Sequence, residues 1–266
     1  MSQGIVTYDA AGLNMSLEGL ADPSRVWTFF EDFCGVITLG LNNASTDDAD
    51  RGIAEYPGVL ISSAGTDATK VAPTAGAEAG GTVVLTSANT TALGLTVPTA
   101  LIDPDNGKRW FMETRLKIAD LATGSFKFGL AEDAGADEML DADGIDGGAT
   151  LDQIMVGFDT GTTTDGNLEY FMSKNSTSGV HSGVGGMHAD AQMVAATYHR
   201  IAIEGDGAKG VRFYFDGELV RATGADANGF VNAGDSMSDQ LLTPMIAVFD
   251  DETVTEVDYL YIACER

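Results

Sequence analysis

The chain has 266 residues, in which 40 Asp and Glu outweigh 14 Lys and Arg and give a formal net charge of −26. Such a surface repels phosphate backbones, so we expect no direct nucleic-acid partner. No apolar run approaches the ~18 residues of a transmembrane helix, so we expect no membrane partner either. The 33 glycines and a charged fraction of 20% favour many strands joined by tight turns around one core.

Residues 1–26 are predicted to form an N-terminal arm before a domain that spans 27–266. Leu13, Met15 and Leu17 alternate with polar neighbours, and a short apolar strand outside the domain must pack back on it or reach another subunit. These three residues are therefore candidate partner contacts, the alternative being an unstructured leader. The first residues, MSQGIVTYDAAGLN, lack the basic start and apolar stretch of a secretory signal. Either the protein is used without export or a signal has been removed, and the retained Met1 favours the first.

Three segments follow the opening strand of the domain. Residues 59–61 (VLI) are predicted to form a short strand. Residues 62–81 are almost all small and carry too little apolar bulk for a core, so we predict a long surface excursion. Residues 83–85 and 93–97 are both apolar, and we predict that they form a hairpin.

Strict alternation of apolar and polar residues predicts a central strand with one buried face and one wet face. Its inward side chains are expected to be Trp110, Met112, Thr114, Leu116 and Ile118, and its outward ones Glu113, Arg115 and Lys117. The runs 126–130, 154–158 and 168–172 alternate in the same way and are expected to continue the core.

The clearest pattern is the segment 198–223, YHRIAIEGDGAKGVRFYFDGELVRAT. Ile201 and Ile203 alternate with polar residues before a Gly-rich turn, and a second apolar alternation follows it. Asp216-Gly217 then makes another tight turn. We therefore predict a three-stranded meander with its apolar side inward.

This meander resembles the late strands of concanavalin A-like (laminin-G-like) jelly rolls. Residues 242–249 and 257–262 resemble the closing strands of that family, and 29–35, 110–116 and 126–130 resemble its opening and middle strands. The resemblance covers about residues 27–264. It implies an all-β, concanavalin A-like jelly-roll sandwich of two antiparallel sheets, a fold that hosts lectins, glycosidases and virion proteins.

An acidic loop between two strands is the candidate metal site. Asp141, Asp143 and Asp146 are interleaved with glycines in the run EDAGADEMLDADGIDGG, which gathers the oxygen ligands that Ca²⁺ prefers. The spacing matches no EF-hand, and a solvated acidic loop is the alternative. No cofactor is otherwise required by the sequence.

No catalytic motif is present, so we expect no enzyme activity. The Glu-x-Asp-x-x-Glu strand of concanavalin A-like glycosidases is absent. His181 and His188 do not have a zinc spacing, and His199 is interpreted as a residue at the end of a strand. Cys34 and Cys264 are interpreted as two buried reduced cysteines, the alternative being that adjacent first and last strands of a jelly roll make them neighbours.

The sequence therefore favours a structural or binding protein. It resembles virion-associated jelly-roll proteins of tailed bacteriophages, which implies capsid decoration, a capsid or other virion protein as partner, a trimer and a location in the virion, assembled in the host cytoplasm. The alternative is a calcium-dependent glycan-binding module, with a glycosidase third. For glycan binding the candidate aromatic residues are Trp27, Trp110, Tyr170, Tyr214 and Tyr259.

Overall fold

A computed structural model describes residues 26–31, 33, 39–41, 53–56, 59–64, 69–73, 81–86, 92–97, 102–122, 124–132, 152–158, 166–174, 185–186, 191–206, 209–232, 240–249 and 254–266. These residues contain strands, bridges and turns and no helix. The strands are β1 (Val26–Glu31), β2 (Leu39–Leu41), β3 (Ile53–Tyr56), β4 (Val59–Ala64), β5 (Thr69–Pro73), β6 (Val83–Thr86), β7 (Ala92–Thr96), β8 (Arg109–Ile118), β9 (Ser125–Ala131), β10 (Gln153–Phe158), β11 (Glu169–Ser173), β12 (Gly185–Gly186), β13 (His199–Asp206), β14 (Gly210–Phe215), β15 (Glu218–Val220), β16 (Val231–Asn232), β17 (Thr243–Phe249) and β18 (Val254–Glu265).

The described strands form two antiparallel sheets. The ten-stranded sheet has the order β15-β14-β13-β8-β18-β6-β5-β2, with β1 also beside β18 and β16 beside β14. The eight-stranded sheet has the order β12-β11-β10-β9-β17-β7-β4-β3. One apolar cluster joins the inner faces of the two sheets. The predicted all-β sandwich is therefore confirmed.

Alternation decides which side chains enter this core. The inward residues of β8 predicted from the sequence, Trp110, Met112, Thr114, Leu116 and Ile118, are all buried. They face the other sheet, whose β9 and β10 contribute Phe126, Phe128, Leu130, Ile154, Val156 and Phe158. Alternate side chains of each strand point into this core, and the remaining ones lie on the outer face of its sheet.

Strand β18, the last strand of the domain, pairs with the first, β1. A bulge within β18 decides which of its side chains point outward. One edge pairs with β8, and the other pairs first with β6 and then with β1. Val257 lies opposite Leu116 while Tyr259 lies opposite Arg115, so Asp258 is the extra residue of a β-bulge. The bulge reverses the alternation, and Tyr259 therefore lies on the outer face although Val257 is part of the core.

Two sequence predictions about the first half of the domain are wrong. The supposed surface excursion at 62–81 contains β5, which pairs with β6 and β2 in the ten-stranded sheet. The supposed hairpin of 83–85 and 93–97 is not one, since β6 and β7 belong to different sheets. Backbone hydrogen bonds need no apolar side chain, and a period of two does not say which sheet a strand joins.

Candidate functional site

A group of aromatic rings lies on the outer face of the ten-stranded sheet, where β1, β18 and β8 run side by side. The ring of Phe30 is 5.9 Å from the ring of Tyr259 and 6.5 Å from that of Tyr261. Phe111 lies 6.1 Å from Tyr261. Phe30 is 53% exposed, while the other three rings are partly buried. We call these four residues, with the neighbouring Glu113, Arg115 and Arg200, the Phe30 face.

Strand register explains how the rings come together. Phe30 lies directly opposite Tyr261, which lies directly opposite Glu113 on β8. Beside the rings on the same face, Val26 and Ala263 are buried and form a small apolar cluster with Phe111 and Tyr261. Of the four rings, only Phe30 presents more than half of its surface to solvent.

Glu113 is a buried carboxyl group next to these rings. It is 7% exposed, and the hydroxyl of Tyr259 donates a hydrogen bond to its Oε1. Its Oε2 is buried without a hydrogen-bond partner. Burial raises the pKa of Glu113, and the bond from Tyr259 and the positive charge of Arg200 oppose that rise only in part. Burial likewise raises the pKa of Tyr259, so its hydroxyl remains a donor.

Replacing Glu113 with glutamine is expected to change how stability depends on pH. Because the pKa of Glu113 is raised in the folded state, this group stabilises the fold below its ordinary value of 4.5 and loses that contribution as pH rises through the folded pKa. The Glu113→Gln variant has no such loss. Its free energy of unfolding relative to the wild type should therefore rise from about pH 4.5 upward and then level off, as urea titrations at several pH values will show. A difference that does not vary with pH would contradict the assignment.

Ion pairs continue the outer face beyond the rings. Arg115 Nη1 donates to Asp258 Oδ2 at 2.6 Å, and Lys117 Nζ lies 2.8 Å from Glu256 Oε1. Both cations also lie over the ring of Tyr198, at 4.3 Å and 4.8 Å from its centroid. The cations of β8 are therefore neutralised by carboxylates of β18.

Arg200 is held in place by the tight turn after β14. Asp216 has a φ of 50° and Gly217 of 91°, the left-handed conformation that the Asp-Gly pair favours. The Asp216 carboxylate accepts the backbone N–H of Arg200 at 2.8 Å and lies 2.8 Å from His199 Nδ1. Since Val194 N–H donates to His199 Nε2, the proton of the neutral ring is on Nδ1 and points to Asp216. The predicted turn is confirmed, and it fixes the start of β13.

A second polar group on the same sheet is closed to solvent. Glu204 accepts two hydrogen bonds from Arg212, both at 2.7 Å, and one from the Tyr214 hydroxyl at 2.6 Å. The guanidinium carbon of Arg212 lies 4.6 Å from the ring centroid of Phe230, which is itself buried. We therefore interpret this group as structural rather than as a ligand site.

On the outer face of the eight-stranded sheet, the described side chains of β9, β10 and β11 are buried except for the partly exposed Glu169. Lys127, Gln153 and Phe171 are each only 1% exposed. Lys127 lies in register between Gly157 and Ala247, two positions with little or no side chain. The Phe30 face is therefore the accessible aromatic surface that the described residues provide.

The metal-binding and partner-contact residues predicted from the sequence lie outside the described residues. This holds for the calcium candidates Asp141, Asp143 and Asp146 and for the arm contacts Leu13, Met15 and Leu17, which stay predictions. Cys34, His181 and His188 are also outside. In the ranges that the structure does describe, no group of three or more His, Cys, Asp or Glu side chains is placed to hold a metal ion, and no helix is long and apolar enough to cross a membrane.

Of the five aromatic candidates, one belongs to the Phe30 face. Trp110, Tyr170 and Tyr214 are buried, and Trp27 packs against the core. Tyr259 lies on the outer face beside Phe30. Sequence reasoning missed Phe30, Phe111, Tyr261 and Arg200. The signal that points to them is the direct apposition of the first and last strands, which places their outward rings together.

Comparison with known proteins confirms the fold. No protein-family model and no curated protein matches the chain. The carbohydrate recognition domain of Emp46p superposes with a TM-score of 0.53 at 13% identity in its metal-free form and at 14% in its potassium-bound form. Each match covers 84% of this chain, with 94% and 95% of the respective domain. A protein of unknown function from Shewanella oneidensis MR-1, SO2946, matches with a TM-score of 0.52 at 9% identity, over 96% of both chains.

The chain therefore has a concanavalin A-like jelly-roll fold, as the sequence resemblance implied. Two of these three structures are of a carbohydrate recognition domain, and at this identity the likeness shows the fold alone. Capsid decoration, the virion partner and the trimer stay predictions.

Proposed function

We propose that this protein is a carbohydrate-binding module that holds a glycan on the Phe30 face without chemical conversion. The observation that carries the proposal is the exposed Phe30 ring, which lies beside the partly buried rings of Tyr259 and Tyr261 on a face that also holds charged side chains. The ring of Phe30 lies on the outer face of its sheet and has no role in the core of the sandwich.

The chemistry of a sugar ring matches this surface. One side of a pyranose presents C–H groups that pack on an aromatic ring, and its hydroxyl groups require hydrogen-bonding partners when they leave water. Binding sites of this kind combine apolar area with a few well-placed polar groups. Here Arg200 and Arg115 lie on the same outer face as the rings, with Arg115 directly opposite Tyr259, and the Tyr259 hydroxyl is held by Glu113.

The likeness to a carbohydrate recognition domain supports the same class of ligand. That likeness is one of fold, at 13% identity, so the proposal depends on the residues of this chain. The predicted Ca²⁺ loop at Asp141, Asp143 and Asp146 would be a separate feature of the module, which chelation of the purified protein during a binding assay would reveal.

Replacing Phe30 with alanine is expected to weaken glycan binding by about tenfold or more, equivalent to roughly 1.4 kcal/mol, because the main apolar contact is removed. The assay is affinity electrophoresis through gels that contain polygalacturonate, hyaluronan, heparin, methyl-esterified pectin, dextran or laminarin. Because Phe30 is exposed, the variant should fold and melt like the wild type.

Leu241→Ala is the matched control, since Leu241 is an exposed apolar residue (55%) away from β1. It should bind like the wild type. If no polysaccharide retards the wild type, or if Phe30→Ala is retarded as strongly as the control, the proposed function is wrong.

A further inference from the structure

We propose that the glycan on the Phe30 face is anionic and that Arg200 recognises its carboxylate or sulfate group. This inference rests on the proposed function and adds the class of ligand. Three observations carry it: the position of Arg200 opposite a second arginine, its lack of a carboxylate partner among the described residues, and its fixed backbone.

The first observation is a pair of like charges. Arg200 on β13 lies directly opposite Arg115 on β8, so both side chains leave the same face of the sheet. Like charges at directly opposite positions destabilise a sheet. The chain has only 14 Lys and Arg among 266 residues, with 40 acidic residues available as partners. Because Asp258 already neutralises Arg115, the charge left without a carboxylate partner is that of Arg200, and an anion bound there would balance it.

The second observation is that four other cations on the outer face of the ten-stranded sheet each have a carboxylate partner. Arg109 pairs with Glu265, Arg115 with Asp258, Lys117 with Glu256, and Arg212 with Glu204. Arg200 forms no ion pair with a carboxylate in the described part of the chain. Its Nη2 donates only to the backbone carbonyl of Asp216, at 3.3 Å. A guanidinium fork with free donors matches a carboxylate or sulfate, which accepts two parallel hydrogen bonds.

The third observation concerns position and rigidity. Arg200 lies directly opposite Arg115, which lies directly opposite Tyr259, so its side chain leaves the sheet on the face that holds the rings. Its backbone is fixed by Asp216, as described above. Glu113 forms no ion pair with Arg200 in the described part of the chain, and its Oε1 accepts the hydroxyl of Tyr259. A polysaccharide that stacks one ring on Phe30 and continues across β18 and β8 would bring an anionic group of another sugar unit next to Arg200 on β13.

The test compares polygalacturonate with highly methyl-esterified pectin, which has the same backbone with most of its charges removed. A second comparison sets the acidic polymers hyaluronan and heparin against the neutral polymers dextran and laminarin. Binding is measured at about 0.15 M salt, where the Debye length of about 8 Å screens the repulsion from the acidic protein as a whole. We expect at least one acidic polymer to bind tenfold or more tightly than all the neutral ones, by roughly 1.4 kcal/mol.

Arg200→Gln should lose about tenfold or more of the affinity for the acidic polymer, whereas Arg221→Gln, which removes an exposed cation outside the Phe30 face, should lose none. Arg200→Lys should bind with intermediate affinity, because it keeps the charge and loses the fork. If a neutral polymer binds as tightly and Phe30→Ala abolishes that binding, the proposed function stands and the anionic class is overturned. If an acidic polymer binds equally well to Arg200→Gln, the role of Arg200 is overturned. Failure of every polymer overturns both proposals.

Discussion

Replacing Arg212 with alanine is expected to lower the free energy of unfolding by about 3 to 5 kcal/mol. Arg212, Glu204 and Tyr214 are 8%, 5% and 3% exposed, and the two oxygens of Glu204 accept all three hydrogen bonds of the group. Loss of the guanidinium leaves the Glu204 carboxylate buried with only one donor. Phe230 also loses the cation that lies over its ring.

Urea denaturation measures this effect, with two further variants as controls. Lys209→Ala breaks an exposed pair with Asp206 and should cost less than about 1 kcal/mol. The double variant Glu204→Ala with Arg212→Ala should be more stable than Arg212→Ala alone, because it removes the isolated charge. A single variant that loses less than the Lys209→Ala control would refute the structural role of this group.

Replacing Gly205 with alanine is expected to cost about 3 kcal/mol, at the upper end for overpacking. A Cβ atom at position 205 would lie 2.0 Å from Cε2 and 2.1 Å from Nε1 of the Trp110 indole. The indole is 1% exposed and packed in the core, so it has no free space to move into. Thermal and urea unfolding of the variant give the magnitude.

A double-mutant cycle separates this clash from other effects of the glycine. In a Trp110→Leu background the indole is gone, so Gly205→Ala should cost less than it does in the wild type by 1 kcal/mol or more, within the range of about 0.5 to 3 kcal/mol seen for contacting residues. Equal costs in both backgrounds would show that backbone conformation, and not Trp110, requires the glycine.

The sequence predicted the strands in which apolar residues alternate over a long run. Strands β8, β13 and β14 and the turn at Asp216-Gly217 follow that pattern and were predicted correctly. Strand β5, TKVAP, contains little apolar bulk, and its place depends on backbone pairing with β6 and β2. Such pairing is a tertiary property that local pattern does not reveal.

The candidate site was less predictable than the fold. Phe29 and Phe30 are adjacent aromatic residues, and only the register of β1 with β18 shows that Phe29 packs on the core while Phe30 points outward. The outward position of Tyr259 depends on the bulge at Asp258, which breaks the period of two within VDYLYI. Arg200 and Arg115 lie directly opposite each other in the sheet although they are distant in sequence.

The most direct test of glycan binding on the Phe30 face is NMR with oligosaccharides cut from the polysaccharide that binds most tightly. The resonances of Phe30, Tyr259, Tyr261 and Arg200 should shift as the oligosaccharide is added, and those of Lys127, Gln153 and Phe171 on the opposite sheet should not. Shifts confined to the eight-stranded sheet would contradict binding on the Phe30 face and would place the binding site on the other side of the sandwich.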